Sequence, residues 1–176
     1  YAVPEFAHVS MILGKDKARL SKRHGATSVQ AYRDAGIPAE ALVNYLARLG
    51  WSYGDQEVFS RAEMIELFDI KNVASSAAVF DTTKLEWLSQ HYLKTMPGSR
   101  LAELAAPFIQ AAGLTPPADQ ARFVGMLDTL RERAKTLVEL VEQGRFYFER
   151  PASYDPQAAP KLLTAGITPE LISNDT

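Results

Sequence analysis

Apolar side chains recur at spacings of three and four residues through most of this sequence, which is the period of helices that bury one face. The longest series predicts a single helix from Asp119 to Gln143, closed by Gly144. Its apolar positions are Phe123, Leu127, Leu130, Ala134, Leu137 and Val141. An earlier series predicts another core-facing helix and consists of Leu42, Tyr45, Leu46 and Leu49. We therefore predict a mainly α fold with one strand and six or seven helices.

Residues with capping chemistry predict where the other helices begin and end. Four side chains can accept hydrogen bonds from the first turn of a helix: Ser28, Ser60, Asp81 and Ser99. Gly36 suits the left-handed residue that follows a helix, and Pro38 can open the next one. Glu63 completes a capping-box spacing for the second of these caps. Pro107 is expected to interrupt or kink the last of these helices, because proline lacks a backbone N–H.

One short apolar run, residues 6–13, does not fit the helical series. It is bounded by Pro4 and Gly14 and predicts a buried strand, since helices rarely run so short. No second strand is predicted, and an isolated strand would leave backbone groups and apolar side chains without partners. We therefore expect the chain to be a fragment of a longer protein. The final segment agrees with this, because residues 168–170 begin a helix that barely proceeds.

The composition and the motifs exclude several kinds of site. The 176 residues include no cysteine, and the three histidines lie far apart in sequence, so we expect no metal site. Neither a P-loop sequence nor a GxGxxG loop occurs, so a nucleotide would have to be held in another way. No apolar stretch approaches the roughly 20 residues that a membrane-spanning helix needs. We predict a protein that does not enter a membrane.

Positive charge is concentrated in one segment. Residues 14–24 contain a single aspartate and five cations, Lys15, Lys17, Arg19, Lys22 and Arg23, although the formal net charge of the chain is −2. Such a block is either a solvated loop or a phosphate-binding loop. Its second half, residues 19–25, combines cations with one small hydroxyl group and a glycine for a tight turn. That combination can fold over a triphosphate and neutralise the charge that develops as pyrophosphate leaves.

The sequence Arg19-Leu20-Ser21-Lys22-Arg23 resembles the KMSKS signature of class I aminoacyl-tRNA synthetases, in the KLSKR form of glutamyl-tRNA synthetases. Flanking blocks are similar to that family in the same order: residues 6–14, 23–29, 42–52 and 80–88. Residues 99–176 resemble the family's helical anticodon-binding domains less specifically. Arg19 stands where lysine is usual, and Ser89 where asparagine is frequent. None of the three histidines begins a HIGH-type motif, so the chain is expected to start inside the catalytic domain.

The resemblance implies three regions and an activity. Residues 1–27 would be the end of the catalytic domain with the KMSKS-like loop, residues 28–96 a helical region that contacts the tRNA stem, and residues 97–176 an anticodon-binding helical domain truncated at its C-terminus. The complete protein would be a cytoplasmic, monomeric enzyme that joins glutamate to tRNA(Glu) through a glutamyl-adenylate, using ATP with Mg²⁺. The fragment alone is expected to be inactive and to hold no cofactor tightly, since it lacks the residues that would bind glutamate.

The resemblance also implies a set of site residues. Four loop residues would contact the phosphates of ATP and stabilise the departing pyrophosphate: Lys22, Arg19, Ser21 and Arg23. Met11 and Ile12 would lie where the main chain of the strand meets the adenine of ATP. Their side chains alone are typical of core positions. No residue is assigned to a metal.

Other residues have two interpretations. Trp51 and Trp87 follow apolar helix stripes and are predicted to be core residues rather than platforms for bases. Asn44, polar within an amphipathic helix, is predicted to tie that helix to a loop. A group of cations could reach tRNA phosphates: Arg131, Arg133, Lys135, Arg145 and Arg150. Glutamates are interleaved with these cations, which is equally typical of a solvated helix face.

Two other functions stay open. One is a stand-alone tRNA-binding module without catalysis, and the other is a helical protein-interaction domain unrelated to tRNA. A glutaminyl-type synthetase is disfavoured because its anticodon region resembles β-barrels, whereas residues 99–176 are helical in pattern. The short glutamyl-queuosine relatives are disfavoured because they end soon after the signature loop.

Overall fold

Two short strands and seven α-helices make up the described part of the chain. The computed structural model describes residues 3–4, 6–21, 23 and 28–149. In chain order the elements are β1 (Ile12–Leu13), α1 (Val29–Asp34), α2 (Ala39–Arg48), α3 (Arg61–Leu67), β2 (Ala78–Val79), α4 (Thr82–Thr95), α5 (Gly98–Ala111), α6 (Gln120–Leu130) and α7 (Leu137–Gln143). Short 3₁₀ helices follow α3 and α7, at Ile70–Asn72 and Arg145–Tyr147. The predicted mainly α class is confirmed.

The strand has a partner, contrary to the sequence-based prediction. β1 pairs in parallel with β2, with Ile12 opposite Ala78. The predicted extent, residues 6–13, was also wrong, because β1 covers only two residues and Phe6 is 81% exposed. β2 is likewise two residues long, which is too short to show an alternating pattern in the sequence. The argument that an unpaired strand marks a fragment therefore fails.

Three of the four predicted N-caps are confirmed. These side chains accept hydrogen bonds from the first-turn amides of α1, α3 and α4: Ser28, Ser60 and Asp81. The prediction for Ser99 was wrong, because Pro97 holds the N-cap position and α5 begins at Gly98. The fixed φ of proline suits the entry to a helix even without a capping side chain. α5 then runs without interruption through Pro107.

The helix predicted from Asp119 to Gln143 is in fact two helices. Residues 131–136 separate α6 from α7. The Thr136 hydroxyl accepts a hydrogen bond from the first turn of α7 and caps it. The Leu137 amide donates to the carbonyl of Gly36 at 2.9 Å, so it is not available for a continuous helix. The apolar period continued across the turn because both helices bury their apolar residues in one core.

Two groups of buried side chains form the interior. The first core lies between α2 and α4 and comprises Leu42, Tyr45, Phe80, Leu85 and Leu88. The second core lies among the end of α4 and helices α5, α6 and α7, and its members include Leu93, Leu101, Ile109, Leu127 and Leu140. Helix α4 therefore contributes to both cores. None of the described helices has the length and apolar character needed to cross a membrane.

Some predictions are confirmed only in part or are not tested. The α2 series is confirmed at Leu42 and Tyr45, which are buried, and Leu49 packs partly buried against the first core, whereas Leu46 is 42% exposed. The predicted boundaries of the three regions stay predictions. Three predicted features lie outside the described residues: Lys22, Arg150 and the helix start at residues 168–170.

Candidate functional site

The basic segment of residues 14–24 is called the basic loop, and its first part, residues 14–20, turns back onto β1. The Leu20 amide donates to the Ile12 carbonyl at 2.9 Å, and Leu13 forms an antiparallel bridge with Arg19. Lys17 has a left-handed backbone with φ of 60°, which lets the chain reverse within a few residues. The loop therefore returns Arg19 to the strand from which it departs.

Three of the predicted site residues line one open groove at this end of the strand. The groove has a volume of about 560 Å³, and its lining residues are Val9, Ser10, Met11, Ile12, Arg19 and Leu20. The Met11 side chain is more exposed than buried, contrary to a core position. The carbonyl of Met11 accepts a hydrogen bond from the Ala78 amide at 3.2 Å, which fixes the strand edge. A guanidinium beside a partly apolar strand edge suits a ligand that carries both phosphate and an aromatic base.

Two other predicted loop residues, Ser21 and Arg23, are not among the residues that line this groove. The Arg23 guanidinium lies 3.6 Å from the Asp16 carboxylate, and both side chains are more than half exposed, so the pair is weak and exchangeable. Ser21 does not line the groove, and Lys22 is outside the described residues. The roles of all six predicted site residues stay predictions. Within the described residues, no group of three or more histidine, aspartate and glutamate side chains could hold a metal ion.

Asp81 ties the start of the basic loop to two helices. Its carboxylate caps α4 and lies 3.3 Å from the Lys15 ammonium, and its backbone N–H donates to the Tyr45 hydroxyl at 2.6 Å. The Thr83 amide and then Lys15 hold the pKa of Asp81 below its ordinary value. Burial raises the pKa of Tyr45 to about 12, so this phenol is neutral at pH 7. The backbone bond to Tyr45 thus holds Asp81 against the first core, whereas the pair with Lys15 is about as exposed as that of Arg23 and adds little.

Asn44 joins α2 to the segment before α3, as predicted. Its side chain is fully buried, and its amide group donates to the Glu57 carbonyl at 3.0 Å. Its oxygen accepts a hydrogen bond from the Phe59 amide at 2.8 Å and lies 2.8 Å from the Tyr92 hydroxyl. The hydrogen bonds of Asn44 thus join α2 to residues 57–59 and to α4.

The two tryptophans differ in burial. Trp51 is buried and packs against Phe59, which confirms the predicted core position. Trp87 is 48% exposed, so its predicted core position was wrong. Leu85 and Leu88 of α4 are buried, and Trp87 lies on another face of that helix. Trp87 was predicted to be buried because it lies next to the apolar residues of α4 in the sequence, but its neighbours on the helix surface differ from theirs.

The cations of the second core's surface differ in their partners. Three of them are paired: Arg131 with Met96 and Asp128, Lys135 with Glu86, and Arg145 with Glu142 and Glu149. Arg133 forms no ion pair with any described residue, and it lines an open cavity of about 560 Å³. Arg150 lies outside the described residues. Arg133 is therefore the described member of this group best placed to meet an external anion.

Two aromatic rings beside Arg133 were not among the predicted site residues. Phe146 is 60% exposed, and its ring centroid lies 4.4 Å from that of Tyr147. Both line the cavity of Arg133, and Tyr147 also lines a neighbouring cavity of about 310 Å³ with Arg122. The available signal in the sequence was a pair of adjacent aromatic residues two positions after the helix-ending Gly144. Exposed rings beside arginines are typical of surfaces on which nucleobases stack.

Comparison with known families matches almost the whole chain. Residues 1–87 match the family described as tRNA synthetases class I (E and Q), catalytic domain. Residues 100–173 match the family described as anticodon binding domain. The order of the two matches, catalytic before anticodon-binding, defines the class as an aminoacyl-tRNA synthetase of class I.

Individual relatives indicate which kind of class I synthetase this chain is most similar to. The glutamate–tRNA ligase of Geotalea uraniireducens is 54% identical over 169 residues, which are 96% of this chain and 36% of the relative. That of Geobacter sulfurreducens is 53% identical over 173 residues, which are 98% of this chain and 37% of the relative. The crystal structure of a glutamate–tRNA ligase from Elizabethkingia meningosepticum, in complex with its amino acid, is 29% identical with a TM-score of 0.75 and covers 98% of this chain and 37% of that one.

The chain belongs to the glutamyl-tRNA synthetase family of class I aminoacyl-tRNA synthetases. It spans little more than a third of the length of the relatives it matches. The resemblance stated for the basic loop and its flanks is thereby confirmed at the level of the family.

Proposed function

We propose that this chain is the part of a glutamate–tRNA ligase that supplies the phosphate-binding loop and the tRNA-binding helices. The complete enzyme joins glutamate to tRNA(Glu) in two steps, with a glutamyl-adenylate between them. The observation that supports the proposal most strongly is the return of Arg19 to the edge of β1, beside Met11 and Ile12. This arrangement offers a cation and a strand edge within a single groove.

The loop residues would act on the phosphates of ATP, a substrate of the complete enzyme. Arg19, Ser21, Lys22 and Arg23 would hold these phosphates, which Mg²⁺ would accompany. When bound, ATP supplies the activated phosphate that the glutamate carboxylate attacks. Positive side chains stabilise the charge that grows on pyrophosphate as it departs, and such contacts are worth about 3 kcal/mol each when well placed. The exposed pair of Arg23 with Asp16 can open at little cost to free Arg23 for this contact.

The helices of the second core would hold tRNA(Glu). Arg133 would contact phosphate, and the exposed rings of Phe146 and Tyr147 would stack on unpaired bases. This proposal is supported by the match of residues 100–173 to an anticodon binding domain. We propose that the complete enzyme is a monomer. It would act in the cytoplasm, where tRNA and ATP are both present.

Charging assays with the complete ligase test this function. We expect the ligase to attach glutamate to tRNA(Glu), whereas the present chain alone should show no charging and no glutamate-dependent exchange of pyrophosphate into ATP, measured with tRNA present. The chain alone should still bind tRNA, with an affinity that falls steeply as salt rises. Competition with a tRNA of unrelated anticodon separates recognition from nonspecific backbone contact. A complete protein that charges no tRNA would refute the proposal.

A further inference from the structure

A backbone hydrogen bond joins the turn between α1 and α2 to the start of α7, where the break after α6 ends. The carbonyl of Gly36 accepts a hydrogen bond from the Leu137 amide at 2.9 Å. Gly36 has a left-handed backbone with φ of +80°. The contact therefore joins a residue near the first core to the first residue of α7 in the second core.

This contact leaves no space for a side chain at Gly36. A Cβ atom added there would lie 2.7 Å from the backbone nitrogen of Val138 and 2.9 Å from that of Leu137. Both neighbours are main-chain atoms of α7, so a larger residue could be accommodated only if α7 moved. Gly113 provides a contrast, because it also has a left-handed backbone, with φ of +73°, but no atom within 4 Å of an added Cβ. Gly36 is thus required for close approach as well as for conformation.

Further bonds fasten residues 131–135 to α4, the helix that both cores share, and to Met96 directly after it. The Ser89 hydroxyl, buried on α4, donates to the Lys135 carbonyl. Other contacts at this junction link Lys135 with Glu86, Lys94 with Glu132, and Arg131 with the Met96 carbonyl. The break in the helical series is therefore where α7 and the turn before it are fastened to α4 and to the α1–α2 turn.

We propose that Gly36 is a positioning residue for tRNA: it seats the α6–α7 break on the α1–α2 turn and so fixes the tRNA-binding helices relative to the loop that carries Arg19. This inference rests on the proposed function. A tRNA is a single stiff ligand that must be held by the helices of the second core while its acceptor end is presented near the basic loop. Fixed geometry between two contact regions raises the effective concentration of the second contact once the first has formed. Loosening the junction should therefore weaken productive binding of tRNA without affecting ATP.

The first arm of the test measures the geometry and needs no catalysis. The chain contains no cysteine, so spin labels can be attached at Glu66→Cys on α3 and Gln143→Cys on α7. Pulsed electron resonance should give one narrow distance distribution in this labelled chain. Adding Gly36→Ala should broaden or shift that distribution, because α7 must move away from the new methyl group. Adding the matched control Gly113→Ala, with similar backbone strain and no neighbour, should leave it unchanged.

The second arm measures the consequence in the complete ligase. Gly36→Ala should raise the KM for tRNA(Glu) roughly tenfold or more, while the KM values for ATP and glutamate stay unchanged. Gly113→Ala should alter none of the three. Ser89→Ala, which removes one hydrogen bond at the same junction, should raise the KM for tRNA in the same direction by a smaller factor. If Gly36→Ala does not fold, Ser89→Ala replaces it in both the distance measurement and the KM measurement.

Each outcome decides the inference. Identical distance distributions in the parent chain, Gly36→Ala and Ser89→Ala would overturn the junction itself. A changed distribution with an unchanged KM for tRNA, or with equal increases for tRNA and ATP, would overturn the positioning role. If the unsubstituted ligase charges no tRNA(Glu), the proposed function fails, and the positioning of tRNA fails with it. The distance measurement would then still decide whether Gly36 sets the geometry.

Discussion

The hydroxyl of Tyr45 on α2 accepts a hydrogen bond from the backbone amide of Asp81, the N-cap of α4, at 2.6 Å. The two residues are 36 positions apart in sequence, and their hydrogen bond lies at the edge of the first core, next to the start of the basic loop. The Asp81 carboxylate also lies 3.3 Å from Lys15 at the start of that loop. A change at Tyr45 should therefore be felt in the stability of the region that positions the loop.

Tyr45→Phe should destabilise the chain by about 1–2 kcal/mol, because it leaves the partly buried Asp81 amide without its partner. The free energy of unfolding from urea titration measures this loss. Tyr53→Phe is the matched control, since Tyr53 is half exposed and makes no side-chain hydrogen bond with described residues. Equal stability of the two variants would show that the bond contributes nothing.

Asn44→Leu should lower the unfolding free energy by about 2 kcal/mol or more, because it removes the partner of the buried Phe59 amide and the donor to the Glu57 carbonyl. Asn72→Leu, on the exposed 3₁₀ helix, should change stability by less than about 0.5 kcal/mol. Urea titration of both variants measures the difference. A loss at Asn44 no larger than at Asn72 would contradict a structural role for the buried side chain.

The stability of the chain should depend on pH through Glu57. The hydrogen bond from Arg48, followed by that from Lys84, holds the pKa of Glu57 below its ordinary value of 4.5. A carboxyl group with a lowered folded-state pKa stabilises the fold above its unfolded-state pKa, and this contribution is lost as pH falls through the folded-state value. Glu57→Gln should therefore cost about 1 kcal/mol at pH 7, a figure that allows for the partial exposure of the pair.

The difference between Glu57→Gln and the unsubstituted chain should shrink as pH falls below 4.5. Urea titration at pH 7 and in acid measures it. Glu66→Gln is the control, because Glu66 is exposed on α3 and forms no ion pair with described residues. A difference that stays constant between neutral and acid solution would contradict the assignment.

Arg133→Gln should weaken the binding of tRNA and reduce the salt dependence of its affinity by about one counterion. The reason is that Arg133 is unpaired within the described residues and lines the cavity of Phe146 and Tyr147. Arg145→Gln is the matched control, since Arg145 is already engaged by Glu142 and Glu149 and should have less effect. Filter binding across a salt series measures both. Indistinguishable salt slopes for the two variants would remove Arg133 from the interface.

Local capping chemistry allowed much of the fold to be predicted. Ser28, Ser60 and Asp81 each cap within three residues of their own position, so the information lies in adjacent sequence. The break between α6 and α7 could not be predicted in this way. It depends on Gly36, whose carbonyl competes for the Leu137 amide from a hundred residues away, while the apolar period runs on undisturbed.

For the candidate site, a motif in the sequence predicts the identity of the loop residues, but it does not predict which side chains are exposed, because tertiary contacts decide that. The basic loop was found from residues 19–23, and the structure brings Arg19 to the strand edge as a consequence of the turn at Lys17. The pair Phe146 and Tyr147 was missed, because apolar residues after an amphipathic helix are ordinarily buried. Their exposure depends on the 3₁₀ helix Arg145–Tyr147, which no local sequence pattern predicted.

If the basic loop serves the phosphates of ATP in a glutamate–tRNA ligase, the loss of Lys22 should affect catalysis most. The measurement is the rate of glutamyl-adenylate formation by the complete ligase, with tRNA(Glu) present, for Lys22→Ala, for Arg19→Lys and for the control Lys71→Ala. Lys22→Ala should be slower by roughly a hundredfold or more, since a charge contact to the transition state is lost. Arg19→Lys, which keeps the charge, and Lys71→Ala, outside the loop, should stay near the unsubstituted rate. An unchanged rate for Lys22→Ala would mean that the basic loop does not serve the phosphates of ATP.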